Sequence, residues 1–206
     1  MKGKFITFEG SEGCGKSTQS KMLAQFLESK GYSVVYLREP GGVKVSEKIR
    51  DLLLDAKNKI SPEAETLLYM AARSEVVNEI IKPALTNGKI IVCDRFLDST
   101  IAYQGYGLGI DLKAIKFIGL FATCGIKPDL TILLDLPLKK GLAHRKFCED
   151  RIEQRPMSYH RRVRDGYLKL AAQEPKRIKV VKVEKEVSVT QDKIRKLVLK
   201  TIFRGS

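Results

Sequence analysis

Tryptophan is absent from this 206-residue chain, histidine occurs twice, and cysteine four times. Cys14, Cys93, Cys124 and Cys148 are scattered, with no CxxC pair and no neighbouring histidines to complete a metal set. That argues against a disulfide framework or zinc module and for four reduced thiols in a cytoplasmic protein, with Cys93 and Cys124 read as small core residues. No apolar run approaches the roughly 20 residues that a membrane span requires. The start, Met1-Lys2-Gly3-Lys4, runs directly into Phe5-Ile6-Thr7-Phe8, with no cleavage pattern of a signal peptide. With 43% hydrophobic and 30% charged residues, neither disorder nor a coiled coil is expected. The length fits one domain, which can bury roughly 70% of its unfolded surface.

What is plentiful is positive charge. The net charge of +14 points to an anionic partner of some kind. Much of it lies between Lys139 and Arg164 and again from Lys176 to Arg204, where it reads as solvated surface. No interleaved aromatic and basic pattern accompanies it, so nucleic acid is not the expected partner.

Strand and helix signals alternate along the chain. Phe5–Phe8, Ser33–Leu37, Ile90–Asp94, Leu130–Leu134 and Ile178–Val183 are apolar runs of strand length. Between them lie helical patterns over Ser17–Lys30 and Val45–Leu54. Another begins at the Ser61-Pro62-Glu63 cap and runs toward Leu85 with a bend. Asp111 caps a helix to about Cys124, and Tyr159–Ala172 and Thr190–Phe203 complete the set. Continuous apolar strands separated by helices predict an α/β protein with a parallel sheet covered on both faces.

Gly10-Ser11-Glu12-Gly13-Cys14-Gly15-Lys16-Ser17, with Thr18 following, fits the phosphate-loop pattern G-x-x-x-x-G-K-[ST] between a strand and a helix. The glycines let successive backbone N–H groups turn toward phosphate oxygens, and the helix N-terminus adds partial positive charge. Lys16 can reach the β- and γ-phosphates of a nucleotide, and the Ser17 hydroxyl can ligate Mg²⁺. Asp94 ends the third strand, where a parallel sheet presents side chains to ligands, and could hold Mg²⁺ through water. These features describe a P-loop enzyme or nucleotide switch without naming a substrate.

Further segments carry a resemblance. They are Phe8-Glu9-Gly10-Ser11-Glu12-Gly13, Arg38-Glu39-Pro40-Gly41-Gly42, Leu67-Leu68-Tyr69-Met70-Ala71-Ala72-Arg73, Asp94-Arg95-Phe96, Asp98-Ser99-Thr100-Ile101-Ala102-Tyr103-Gln104-Gly105, Asp150-Arg151-Ile152-Glu153 and Arg162-Val163-Arg164-Asp165-Gly166-Tyr167. In this order, over nearly the whole chain, they resemble the thymidylate kinase family. The resemblance implies a five-stranded parallel sheet flanked by helices, of the P-loop nucleoside monophosphate kinase type. It also implies transfer of the γ-phosphoryl group of ATP to dTMP with Mg²⁺, in a homodimer, with the helices around Ala71 and Ile118 as a possible interface.

Residue by residue, the resemblance gives Arg95 the acceptor phosphate and sets Arg50, with Glu39 and Pro40, in the same pocket. Tyr69 matches the aromatic stacked on thymine, Arg73 the arginine at the base edge, and Thr100 and Gln104 polar residues around the base. Tyr103 matches the ring against the sugar, and Glu12 an acid near the sugar hydroxyl or phosphate. Some members carry an arginine in the phosphate loop; here that position is Gly13. The expected source of charge is therefore a lid at about 144–156, with Arg145 and Arg151 as candidates. Two departures stand out: Val43 where threonine is usual, and Ala72 where aspartate is frequent. Another nucleoside monophosphate kinase or a deoxynucleoside kinase, differing in its acceptor pocket, is the alternative enzyme; a nucleic-acid ATPase or nucleotide switch would leave the acceptor residues unexplained.

Overall fold

The computed structural model describes residues 3–143 and 151–203. Five strands, β1 (Lys4–Glu9), β2 (Val34–Arg38), β3 (Ile90–Asp94), β4 (Leu130–Asp135) and β5 (Ile178–Lys182), form one sheet in the order β2-β3-β1-β4-β5. Every pairing is parallel, with Phe8 opposite both Asp94 and Ile132. All five residues of β3 are buried, which is why that strand reads as unbroken apolar sequence ending in an acid.

The period-two alternation of the strands sorts their side chains between two faces. Ile6, Phe8, Val92 and Ile132 pack with Leu23 and Leu27 of α1 (Lys16–Ser29) and Ile194 and Val198 of α9 (Val187–Ile202). On the other face Phe5, Ile91 and Cys93 meet Val76, Val77 and Ile81. A further cluster joins Leu133 and Ile178 to Tyr159, Val163 and Leu170 of α8 (Met157–Gln173). Each fully buried side chain of this kind contributes about 1.5–3 kcal/mol.

α2 spans Lys44–Leu54. The bend expected after Ser61 is a change of helix type. α3 (Pro62–Val76) passes through a π-helical segment, Val77–Ile81, into α4 (Lys82–Thr86), where Pro83 supplies no amide donor. Ser61 caps α3, its Oγ accepting from Ala64 N at 3.2 Å. After β3, α5 (Leu97–Thr100) leads into a second π-helical segment, Ile101–Gly107, a stretch to which the sequence pattern assigned no element. α6 (Leu112–Ala122) starts at Asp111, whose Oδ1 accepts from Lys113 N at 3.0 Å, and α7 covers Leu138–Ala143.

Cys124 corrects one expectation. It is exposed, because α6 stops at Ala122 and Cys124 lies in the following turn with φ 49°, off the inner face of the helix. Cys93 is fully buried as expected, and Cys148 lies outside the described residues. No helix among the described residues is long and apolar enough to cross a membrane.

Candidate active site

The carboxyl ends of β1 and β3 lie side by side and open into a cavity of about 530 Å³. From the phosphate loop, Glu12, Gly13, Gly15, Lys16, Ser17 and Thr18 line it; Gly10, Ser11 and Cys14 stand behind. Gly13 (φ 70°) is confined twice over, since a Cβ there would come within 1.9 Å of the Gly141 carbonyl oxygen. The α7 backbone therefore occupies the space that a side chain at this position would need. Lys16 Nζ donates to the Ser11 carbonyl at 2.8 Å and lies 3.8 Å from Cys14 Sγ, so its ammonium rests over the loop.

Ser17 Oγ donates to Asp94 Oδ2, while Asp94 Oδ1 is buried with no hydrogen-bond partner among the described residues. An orphaned carboxylate oxygen beside a hydroxyl fits a small hard cation. No group of three or more His, Cys, Asp or Glu side chains that could cage a metal occurs among the described residues. The Ser17 hydroxyl and the orphaned Asp94 oxygen suit Mg²⁺, which keeps water and takes one or two protein ligands together with substrate phosphates.

Arg95 adopts φ 75°, uncommon for a residue with a side chain, and its amide donates to the Phe8 carbonyl at 2.9 Å. The turn swings its guanidinium back over the phosphate loop. There Nη2 donates to Glu12 Oε1 at 2.6 Å and to the Tyr103 hydroxyl at 3.2 Å. The Tyr103 hydroxyl in turn donates to Glu12 at 2.7 Å. Burial alone would push the Glu12 carboxyl up; Arg95, Lys16 and the Tyr103 hydroxyl outweigh it and hold it at about 2.

Beneath Arg95 lies an acid to which the sequence reading gave no role. Glu9 is fully buried and accepts from Phe96 N at 2.8 Å, Ser99 Oγ at 2.6 Å and the Tyr167 hydroxyl at 2.7 Å. Burial, with the neighbouring Asp98 charge, pushes its carboxyl up to about 7. Its sequence signal was an acid closing an otherwise apolar strand. Ser99 and Tyr167 were visible only as letters within longer matching segments.

Asp94, Arg95 and Ser99 also line the cavity, and farther out Arg38, Glu39, Pro40, Arg50, Leu54, Tyr69, Thr100, Tyr103, Gln104, Ile152 and Glu153 complete the lining. Arg50 Nη1 donates to the Pro40 carbonyl at 3.0 Å. Arg73 is not part of the lining. It lies behind the wall, 3% exposed, donating to Glu39 Oε2 at 2.7 Å, Thr100 Oγ1 at 2.9 Å and the Phe96 carbonyl at 3.0 Å. These bonds fix its orientation without an acid at position 72, where Ala72 is fully buried. Burial pushes the Glu39 carboxyl up against the pull of Arg73. Val43 gives α2 no side-chain cap; Ser46 Oγ and Glu47 Oε1 instead accept from the Gly41 and Gly42 amides at 2.9 and 2.7 Å.

Arg151 also stands outside the lining. Its Nε donates to the Leu53 carbonyl at 3.0 Å, and Nη2 lies 2.7 Å from Glu65 Oε2, an ion pair without hydrogen-bond alignment. Arg155 Nη2 donates to the same Glu65 oxygen at 2.6 Å. Glu65 and Arg155 were not singled out from the sequence. Of the expected lid, residues 144–150, Arg145 among them, lie outside the described residues.

This geometry, a phosphate loop and a cationic wall facing one cavity, has counterparts among known proteins. A family model described as thymidylate kinase matches residues 8–194. The chain belongs to the thymidylate kinase family. A thymidylate kinase of Geotalea uraniireducens (strain Rf4) is 48% identical, over 98% of this chain and 100% of that protein. One of Pelotomaculum thermopropionicum is 45% identical, over 100% of this chain and 99% of that one. The crystal structure of thymidylate kinase from Ehrlichia chaffeensis superposes with a TM-score of 0.79 at 37% identity, over 96% of this chain and 99% of that one. Family membership agrees with the sheet order and the loop, and makes the chain a kinase.

Proposed function

We propose that this chain transfers the γ-phosphoryl group of ATP to dTMP, giving ADP and dTDP. The observation that carries the reading is the meeting of Lys16 and Arg95 on one cavity, with Glu12 between them. Lys16 neutralises the donor phosphates, and Arg95 offers a planar fork to the acceptor phosphate. An acceptor phosphate oxygen attacks the γ-phosphorus in line as the bond to the β-phosphate oxygen breaks. Ser17 and the free oxygen of Asp94 would hold Mg²⁺, which would supply positive charge against the charge that develops on the donor phosphates.

At the far end Tyr69, Thr100 and Gln104 receive the base and Tyr103 faces the sugar, with Glu39, Pro40 and Arg50 beside the acceptor phosphate. Arg73 acts from behind the wall through Thr100. The close approach of Gly13 to Gly141 supports a lid arginine as the transition-state cation, since the loop has no room for one. Arg145 is the better candidate because Arg151 is already engaged with Glu65 and Leu53. The chain is one kinase domain with this lid at about 144–156.

A homodimer is part of the proposal. Phe117, Leu120 and Phe121 of α6 are 76, 58 and 83% exposed, with Leu67 of α3 at 54%, and the two helices pack together. An apolar face of this sort is suited to a second copy. The free thiols of Cys14, Cys93 and Cys124 agree with a reducing cytoplasm. A coupled assay of ADP formation across nucleoside monophosphates tests the activity. Turnover should depend on Mg²⁺ and be highest with dTMP, whereas higher kcat/KM with AMP or CMP would assign another monophosphate kinase.

A further inference from the structure

Gln104 shares the cavity wall with Thr100 and Tyr69, and its amide has a donor end and an acceptor end. The donor end is committed: Nε2 donates to Glu65 Oε1 at 2.8 Å. Glu65 is 0% exposed, and its other oxygen lies 2.6 Å from Arg155 Nη2 and 2.7 Å from Arg151 Nη2. A carboxylate held between two guanidinium groups is an acceptor only, so it can bind the amide NH₂ and not the amide oxygen. The orientation of Gln104 is thereby fixed by chemistry. No donor among the described residues takes up its Oε1.

We propose that Glu65 is a specificity-determining positioning residue. By binding the NH₂ of Gln104 it makes the cavity wall present a hydrogen-bond acceptor to the base. The acceptor matches the ring N3–H of thymine or uracil, while cytosine brings a lone pair to that point. Arg151 and Arg155 are the third layer, keeping Glu65 an acceptor and tying the chain that follows the lid to the base pocket. The inference rests on the dTMP reading and adds the cause of its base selectivity. A site built around one hydrogen bond rejects an analogue that cannot make it far better than a site built on shape.

The test compares kcat/KM for dTMP, dUMP and dCMP in the wild type, Glu65→Gln, Gln104→Leu and the double variant, with melting curves alongside. Glu65→Gln keeps the volume but offers Gln104 both a donor and an acceptor, so the amide can turn over. The dTMP-to-dCMP ratio should fall by about tenfold or more, while the dTMP-to-dUMP ratio stays within about twofold, because both bases carry N3–H. Adding Glu65→Gln to Gln104→Leu should leave the ratios of the single Gln104 variant unchanged. An unchanged dTMP-to-dCMP ratio in Glu65→Gln, whatever the loss in rate, overturns the proposal, as does a further change in the double variant.

If Glu65→Gln does not fold, the Gln104 side-chain NH₂ resonances of the wild type decide. Assigned by their loss in Gln104→Leu, they should exchange slowly and stay in place on adding dTMP; a large shift would show the donor end turned to the base and sink the idea. A wild type that prefers a purine monophosphate to dTMP overturns the activity itself, and is seen before any variant is compared.

Discussion

The α-carbon of Gly13 faces the carbonyl of Gly141 so closely that a Cβ would lie 1.9 Å from that oxygen. Both partners are backbone, so no side chain can swing aside. With φ at 70°, a residue other than glycine also meets the left-handed penalty of about 1–3 kcal/mol. Gly13→Ala should therefore lose at least about 2 kcal/mol, or about 4–8 °C in Tm for a chain of this size. Gly13→Arg should lose at least as much and gain no activity. Thermal melts and initial rates of both variants check this, and a stable, active Gly13→Arg enzyme would show that α7 can be displaced.

Lys16→Ala should lower kcat by about 10²–10³ with the circular dichroism spectrum unchanged. Among the described residues its ammonium donates to the Ser11 carbonyl at 2.8 Å and lies 3.8 Å from Cys14 Sγ. Little of the fold depends on these contacts, so the loss should appear in turnover. A folded, fully active variant would remove the donor site from the phosphate loop.

The phosphate loop and sheet were legible because each rests on local sequence. Ile90–Asp94 is buried on both faces, and the glycines of the loop sit between a strand and a helix. The second π-helical segment, Ile101–Gly107, was not legible, because Gly105 and Gly107 interrupt any helical pattern. Nor were Glu65 and Arg155, which meet across 90 positions of sequence and share no motif. The misplacement of Cys124 had a smaller cause: two residues past the helix end, periodicity no longer says which way a side chain points.

The elevated Glu9 carboxyl makes stability depend on pH in a set direction. Burial and Asp98 raise it from 4.5 to about 7, against the pull of Arg95 and the hydrogen bonds from Ser99 and Tyr167. Between these values the folded state holds more proton than the unfolded one, so stability falls as pH rises from about 4.5 to about 7 and then levels. The full difference is on the order of 3 kcal/mol. Glu12, held at about 2, acts oppositely and only as pH falls below about 4.5, outside this window. Glu9→Gln keeps a neutral group against Ser99 and Tyr167, so its stability relative to wild type should improve from pH 5 to pH 8. Urea unfolding of both proteins at several pH values measures this. Parallel curves would mean that Glu9 does not change protonation there.

The two candidate lid arginines should separate by the kind of damage their loss does. Arg151 holds Leu53 and Glu65, so Arg151→Met removes an anchor beside a buried carboxylate that keeps Arg155 as partner. The expected cost is about 1–3 kcal/mol of stability, with kcat reduced only modestly. Arg145→Met, by contrast, should lower kcat by about 10²–10³ without a matching rise in either Michaelis constant, as for an interaction made in the transition state. Arg145 is favoured by exclusion: Gly13 cannot be replaced by a cation, and Arg151 is already bound at a site that does not line the cavity. Steady-state kinetics and melting curves of the two single variants and the double decide it. A crippled kcat in Arg151→Met with Arg145→Met near wild type would require Arg151 to leave Glu65 during turnover, and would move the role to it. Near-wild-type kcat in both would mean that neither arginine supplies the charge and that the segment is only a basic loop.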